Sequence, residues 1–503
     1  MNSSTRIFCN GKFLLPDGTY GAAVEVDGAG IIRNIFKEEQ VAVTTGERVD
    51  MGGNFVIPAF EDAHNHIAAR ARTVFEINLR NKETSWNEAR ELIRERAQKT
   101  PAGGWVVCHG WNEMTWGPVD QGELDTLSDV CGIFLINISF HGGLVNKKGS
   151  ELLTKNGYPA GESGRITEAE FDSVIIATSP GVEAYMQAIP ELQRRLLALG
   201  IGALHDMHIL TLEQLEAFRR LERDGLLLFP VVLYMNPRLL AFPKEISQYR
   251  AASGDMAKLL GLKLFLDGAI GVSTAAINGQ YSDGTGKGVL RHSDDECMRY
   301  ISEAAALGLE QVAMHCIGDK AVEQAVSLFE KCREMYSSRI RTWRFEHFEM
   351  PGNLAIQTVA AHGGIASMQP NFSWDAGNYS ARLGKRASAI NPLRTIVDAN
   401  VTLVLGSDDA PSGPLEGMRW AVAKAPHDIQ RLTIREALRC YTETPAEIVG
   451  CGHLRGKIAL GYEANFTVLD KDPLKQEAWQ KSDATHVREV WIKGRRLYTS
   501  TRD

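Results

Sequence analysis

Cysteine is scarce and scattered. The eight in 503 residues, Cys9, Cys108, Cys131, Cys297, Cys316, Cys332, Cys440 and Cys451, form no C-x-x-C pair and no compact framework. That excludes a disulfide-stapled scaffold and reads as buried thiols in a reducing compartment. Long apolar runs are missing too: the longest, GLLLFPVVLYM from Gly225, is too short to span a bilayer and contains Pro230. The amino-terminal MNSSTRIFCNGKFLL has neither the basic start nor the continuous apolar centre of a signal peptide. Positive charge is in deficit. The net charge is −7, and no basic cluster is interleaved with aromatics, so a nucleic-acid surface is not expected. These absences predict a soluble cytoplasmic protein with no membrane or nucleic-acid partner.

What is present is ordinary in bulk, with 44% hydrophobic and 23% charged residues. The length exceeds a typical single core and suits several domains, or one large barrel with additions. Residues 1–54 hold short β-rich pieces, RIFCNGKFLL, AAVEVDG and GIIRNIF, separated by turn residues. Similar pieces return only near the other end, as ANFTVLD from Ala464 and VREVWIKGRRLY from Val487. A composite β-sandwich from residues 1–54 and 455–503 accounts for both.

Between them, eight short apolar runs alternate with amphipathic stretches: FVIPAFEDAH, GIGALHDM, LFPVVLYM, GLKLFLDG, EQVAMH, RTWRFEH, GIASMQP and TLVLGSD. This pattern of parallel strands joined by helices predicts an α/β fold, a (β/α)₈ TIM-type barrel over residues 55–454. More than a hundred residues separate the first two runs, which predicts an inserted lid subdomain over about 70–190.

Several runs end in the same kind of residue. The first ends at His64 and His66, which share a face if the strand is regular. The fifth ends at His315, the sixth at His347 and the eighth at Asp408. In a barrel all these strand ends meet on one face, where such folds place their chemistry. Four imidazoles and a carboxylate suit Zn²⁺, with other divalent first-row metals as alternatives. Any one histidine taken singly, His205 included, is more simply a core residue satisfied by a backbone carbonyl. In GLKLFLDG, Lys263 and Asp267 stand four apart, and spacing alone favours an ion pair between them. A depressed pKa and conversion to a carbamate are the other ways to bury that lysine.

These segments resemble the amidohydrolase superfamily, and more closely its family 3 branch, which includes N-substituted formamide deformylases. IPAFEDAHNHI resembles the branch's P-G-F-x-D-x-H-x-H, and GLKLFLDGAIGVSTAA its K-x-F-x-D-G-S-x-G-S-R-T-A segment. MHCIGDKAVEQAV, RFEHFEM, ASMQPNF, LVLGSDDAP and ALRCYTETPAEIVG match later motifs in order. The resemblance implies metal ligation by His64, His66, His315, His347 and Asp408, one or two ions per chain, with Lys263 as a carbamylated bridge. It also implies that Asp408 is a proton shuttle, and that His141 and Asn146 in HGGLVN reach the substrate, with His141 polarising its carbonyl. Asp319 and Asp267 read as orienting or helix-capping residues. Trp111 and Trp374 are the aromatic residues expected to contact substrate. Ala59, Ala269 and Ser273 depart from the pattern, Ser273 standing where the branch has arginine. Asp409 directly follows Asp408, and on a regular strand the two would face opposite sides.

The expected activity is metal-dependent hydrolysis of a non-peptide carbon–nitrogen bond in a small amide, N-substituted or cyclic. Deamination or ring opening of a heterocycle, ester hydrolysis and a non-catalytic metal-holding protein are the alternatives. A small-molecule amide is the expected partner, and a homodimer the expected oligomer on general grounds.

Overall fold

The computed structural model describes residues 5–37, 46–80, 85–112, 116–117, 119–138, 142–409, 413–423, 428–480 and 484–501. Two compact units emerge. One is discontinuous and comprises residues 1–66 and 190–503; the other is Ile67–Ile189.

The core of the larger unit is an eight-stranded sheet of β1 (Phe60–Asn65), β2 (Ile201–Ile209), β3 (Val231–Met235), β4 (Ala257–Phe265), β5 (Gln311–Cys316), β6 (Thr342–His347), β7 (Ile365–Met368) and β8 (Thr402–Leu405). Neighbours follow chain order and every ladder is parallel. Nearly every residue in these strands is buried, which is why they read as continuous apolar runs and not as alternating ones. Helices follow at the amphipathic stretches, among them Leu212–Arg223, Asp294–Ala306 and Asp319–Arg333. The first two begin with capping boxes, Thr211 with Gln214 and Ser293 with Glu296, which satisfy the open N–H groups of the first turn.

The seam between β8 and β1 has no extended backbone ladder. Asp62 closes it instead: its carboxylate accepts from the backbone N–H of Ser407 (2.9 Å) and from the Ser407 hydroxyl (2.5 Å). Gly406 lies against the same strand. A Cβ there would approach the His64 backbone nitrogen to 2.4 Å, so only glycine fits.

Two further sheets complete this unit. A six-stranded sheet runs in the order Arg495–Thr499, Val487–Ile492, Phe466–Leu469, Phe55–Pro58, Lys12–Leu14, Tyr20–Gly21, so it takes strands from both ends of the chain. A four-stranded sheet is made of Ile32–Phe36, Ala23–Val26, Arg6–Cys9 and Glu47–Asp50. Phe8 from one sheet packs edge-on against Phe466 and Trp491 from the other, at 5.6 and 4.9 Å between ring centroids. The run FVIPAFEDAH therefore contains two strands. Phe55–Pro58 belongs to the sandwich, pairing with Lys12–Leu14 and Phe466–Leu469, and the barrel begins at Phe60, not at residue 55.

The second unit holds a five-stranded sheet in the order Arg165–Ile166, Gly143–Val145, Gly132–Asn137, Trp105–Trp111, Ile77–Asn78. Helix Trp86–Lys99 packs Ala89, Ile93 and Ala97 into a cluster with Val106, Cys108 and Ile133. All eight cysteines are free thiols, six of them buried. No helix among the described residues is long and apolar enough to cross a membrane.

Candidate metal centre

His64 and His66 lie at and just beyond the end of β1, His315 near the end of β5 and His347 at the end of β6. Asp408 follows β8 by three residues. The barrel brings all five together. Ring centroids are 4.3 Å apart for His315 and His347, 4.8 Å for His64 and His347, and 5.3 Å for His64 and His66. Asp408 Oδ1 stands 2.8 Å from His66 Nε2 and 3.7 Å from His64 Nε2, and its Oδ2 stands 4.0 Å from His347 Nδ1. Ligands on one tetrahedral zinc-like ion are separated by about 3.3 Å, so these spacings bracket what a shared cation needs. One ligand atom from each of His64, His347 and Asp408 falls within 4.8 Å of the others.

The chain also sets which imidazole nitrogen is offered. His64 Nδ1 faces the Glu346 carboxylate at 2.6 Å and must donate, which leaves its Nε2 with a lone pair toward the cluster. His315 Nε2 donates to the Gly268 carbonyl at 3.0 Å, so the lone pair is on Nδ1, a buried atom with no hydrogen-bond partner. His66 Nδ1 and His347 Nδ1 are likewise buried without hydrogen-bond partners among the described residues. Burial pushes His64, His315 and His347 well below the ordinary imidazole range, and the charge of Lys263 adds to this, so all three are neutral. Burial also lowers His66, but the Asp408 carboxylate outweighs it and the net shift is upward. Burial would raise Asp408, but the charge and hydrogen bond of His66, with the charge of Lys263, outweigh it and hold the carboxyl below its ordinary range. Neutral imidazoles with outward lone pairs and one ionised carboxylate fit a divalent cation.

Lys263, fully buried on β4, has its Nζ 3.5 Å from His64 Nε2 and 4.8 Å from the centre of the Phe265 ring. The ion pair with Asp267 does not form. β4 ends at Phe265, so the strand alternation that would align the two carboxyl and amine groups stops short of Asp267. Asp267 instead accepts from the backbone N–H groups of Ala276, Ile317 and Gly318, tying two loops together. Burial lowers the Lys263 pKa to about 8 although Glu346 and Asp408 oppose the shift. Asp319 does not cap the helix after β5, whose N-cap is Gly318 without a side-chain bond; it is the first helical residue and its carboxylate accepts from the backbone N–H of Asn278.

Asp408 and Asp409 both adopt the left-handed region, with φ of 50° and 59°, beyond the end of β8. The opposite-faces expectation for a regular strand therefore does not apply. His347 and Phe348 share this unusual backbone, at 69° and 48°, and such conformations in non-glycine residues gather where a site demands them. Phe372 stacks parallel to His347, with centroids 6.2 Å apart.

The other expected substrate contacts fare differently. Asn146 is fully buried in the second unit, where its Oδ1 accepts from Ile133 and Gly149 and its Nδ2 donates to the carbonyls of Ser128 and Cys131. Its four hydrogen bonds are in use, and it caps the helix Lys147–Lys155, a structural role in place of substrate binding. Trp111, only 2% exposed, packs in the same unit's core. His141 lies outside the described residues. Trp374 belongs to the short helix Pro370–Asp375, and its side chain is outside the described set. Ser273 has φ 58° and its hydroxyl meets both Thr285 and the guanidinium of Arg382, so an arginine reaches this place from another part of the chain.

Sequence reasoning did not single out the groups behind the ligands. Arg344 donates to Glu346 (2.7 Å), to the Ala63 carbonyl (2.7 Å), to Tyr234 (2.9 Å) and to His205 Nδ1 (2.9 Å). His205 therefore carries its proton on Nε2 and donates to Glu61 at 2.9 Å. It is satisfied by Arg344 and Glu61, not by a backbone carbonyl. Arg455 completes the string with a two-pronged pair to Glu61 at 2.8 and 2.9 Å. Two signals were available: RFEHFEM matches a family motif that contains both residues, and Arg344 and Glu346 sit two apart in an apolar run, hence on one face.

The family model described as "Amidohydrolase family" matches residues 47–498. Similar proteins include one named "Putative amidohydrolase YtcJ" in Bacillus subtilis (strain 168), 26% identical over 92% of this chain and 93% of its own. An N-substituted formamide deformylase of Arthrobacter pascens is 26% identical, over 90% of each chain. Among solved structures, a metal-dependent hydrolase from Pyrococcus furiosus superposes with a TM-score of 0.77 at 26% identity, covering 94% of this chain and 100% of that one. With the family's model matched over most of this chain, the chain belongs to the amidohydrolase family.

Proposed function

We propose that the protein is a metal-dependent hydrolase of a non-peptide carbon–nitrogen bond in a small amide, N-substituted or cyclic. The observation that carries this is the convergence of four histidines, Asp408 and a fully buried lysine at the barrel's strand ends. Similarity to a formamide deformylase supports the bond type.

His64, His66, His315, His347 and Asp408 would hold the cation, Zn²⁺ foremost for this donor set. A bound cation supplies Lewis acidity and brings the pKa of water near neutrality. The chain's residues do the rest. Asp408, held ionised by His66 and Lys263, accepts the proton of attacking water at a carboxylate oxygen. The same oxygen returns that proton to the amine nitrogen, which leaves poorly without it. His141 is retained as the group that polarises the substrate carbonyl. Lys263 meets the requirement for carbamate formation, an amine that loses its proton near neutral pH. Its nitrogen bonds to the carbon of CO₂ with release of one proton, and the anion so formed suits a place between two cations.

Elemental analysis of protein produced with mixed divalent metals and bicarbonate, beside Lys263→Ala, tests the assignment. Two ions per chain falling to one or none in the variant is the expected result. No bound metal, or no turnover of any amide by loaded protein, would overturn the proposal.

A further inference from the structure

Four buried polar side chains on one sector of the barrel rim lack hydrogen-bond partners among the described residues. They are Glu349 at Oε2, Gln369 at Nε2, Ser373 at Oγ and Asn391 at Nδ2, and none is more than 5% exposed. Folded chains pair nearly all such groups, because each orphan costs about 1–3 kcal/mol. Water or a ligand must therefore pair them.

That sector adjoins the candidate metal centre. Glu349 stands two residues beyond His347 at the end of β6, and Gln369 immediately follows β7. The β6–β7 register pairs Glu346 with Ser367, which brings the two exits level on strands about 4.8 Å apart. Gln369 lies against the His347 imidazole, whose pKa it raises as a hydrogen-bond acceptor, so its Nε2 is the amide atom left for another partner. The Asn391 backbone N–H donates to the Glu349 carbonyl at 2.9 Å, and Ser373 follows Phe372, the ring stacked on His347.

The donor and acceptor count narrows the ligand. Gln369 offers N–H donors, and Glu349, from the neighbouring strand exit, offers a carboxyl oxygen. An alkyl or aryl substituent would leave all of these unpaired. A lone cation would satisfy Glu349 but not the Gln369 N–H groups. A group with both an N–H and a C=O on one edge satisfies the set. We infer that Glu349 and Gln369 form a recognition pair for a second amide group in the substrate, a –CO–NH– edge next to the bond that is cleaved. This rests on the proposed hydrolase for the scissile bond and adds the substituent that the enzyme selects.

N-formylglycinamide and N-isobutylformamide are matched in size and differ only in that second amide, so their kcat/KM ratio reads the pair directly. Metal-loaded wild type should prefer the glycinamide at least tenfold, mainly through KM, and Gln369→Leu should reduce that preference at least tenfold. Glu349→Gln, a milder change, should reduce it at least threefold and carries the test if Gln369→Leu does not fold. Calorimetric titration of metal-free protein with N-acetylglycinamide gives a readout apart from turnover, and the variants should bind at least tenfold and threefold more weakly, respectively. Turnover of both formamides with an unmoved ratio overturns the pair and leaves the hydrolase standing. No turnover of either, with N-acetylglycinamide binding lost in the variants, supports the pair and excludes formamides as the cleaved bond. Binding that is absent in wild type, or equal in the variants, overturns the pair.

Discussion

The backbone N–H of Asp408 donates to the carbonyl oxygen of His64 at 2.8 Å. Two members of the candidate metal centre are thus fixed to each other through main chain, across the seam where the first and last barrel strands meet. Gly406 lies within the same contact.

Adding one methyl group at the seam should therefore damage the centre from outside it. Gly406→Ala places a Cβ where the His64 backbone nitrogen stands. We expect a stability loss of about 1–3 kcal/mol from overpacking, together with reduced metal content. Thermal unfolding and elemental analysis of the purified variant check both; a fully loaded, equally stable variant would show that the seam relaxes freely.

Glu346→Gln keeps the shape of the side chain but removes the charge that orients His64. Arg344 would lose its buried counter-charge, and the amide could donate to His64 Nδ1, moving the imidazole proton to Nε2. Metal affinity should fall about 10–100-fold, as is usual when a ligand's orienting carboxylate is lost. A chelator competition measures this, and unchanged affinity would remove Glu346 from its positioning role.

Asp408→Asn should reduce turnover by about two to four orders of magnitude, the usual worth of a positioned proton-transfer group. The histidines remain, so part of the metal should stay bound. Measuring kcat and metal content on the same preparation separates the two effects, and near-normal kcat would exclude Asp408 as the shuttle.

Much of this was legible in the sequence because the barrel strands are buried on both faces. Each gave a continuous apolar run, and His64, His66, His315, His347 and Asp408 stood out as polar residues at the ends of those runs. The division at Pro58 was not legible, since one apolar run serves two sheets in succession. Nor was the fate of Lys263, because where β4 stops depends on its neighbours and not on its own alternation. Arg344, Glu346 and Glu61 drew no attention because a buried charge becomes intelligible only with its partners, and those come from distant segments. Asn146 was misjudged for the opposite reason: a helix cap and a substrate contact ask for the same side chain.

Glu349 gives the metal-free protein a pH signature. Burial, with Asp267 and Asp408 nearby, raises its pKa to about 8, whereas an unfolded glutamate ionises near 4.5. Between these values the folded state holds a proton that the unfolded state has released, so this group's contribution to stability falls as pH rises from 4.5 to 8. Glu349→Gln should remove that decline, with a gain at pH 8 of at most about 4–5 kcal/mol. Denaturant unfolding of both proteins at pH 5 and pH 8 reads the difference; parallel pH dependence would show that Glu349 is ionised in the fold.

The string from Arg455 through Glu61, His205, Arg344 and Glu346 to His64 has a bearing on ancestry and recombination. Its six members come from β1, β2, β6 and a segment beyond the barrel, and each fixes the proton or charge of the next. A strand transplanted from a relative with a different partner set would import a charge with no mate. These positions are therefore expected to change together or not at all, as one heritable unit dispersed along the gene.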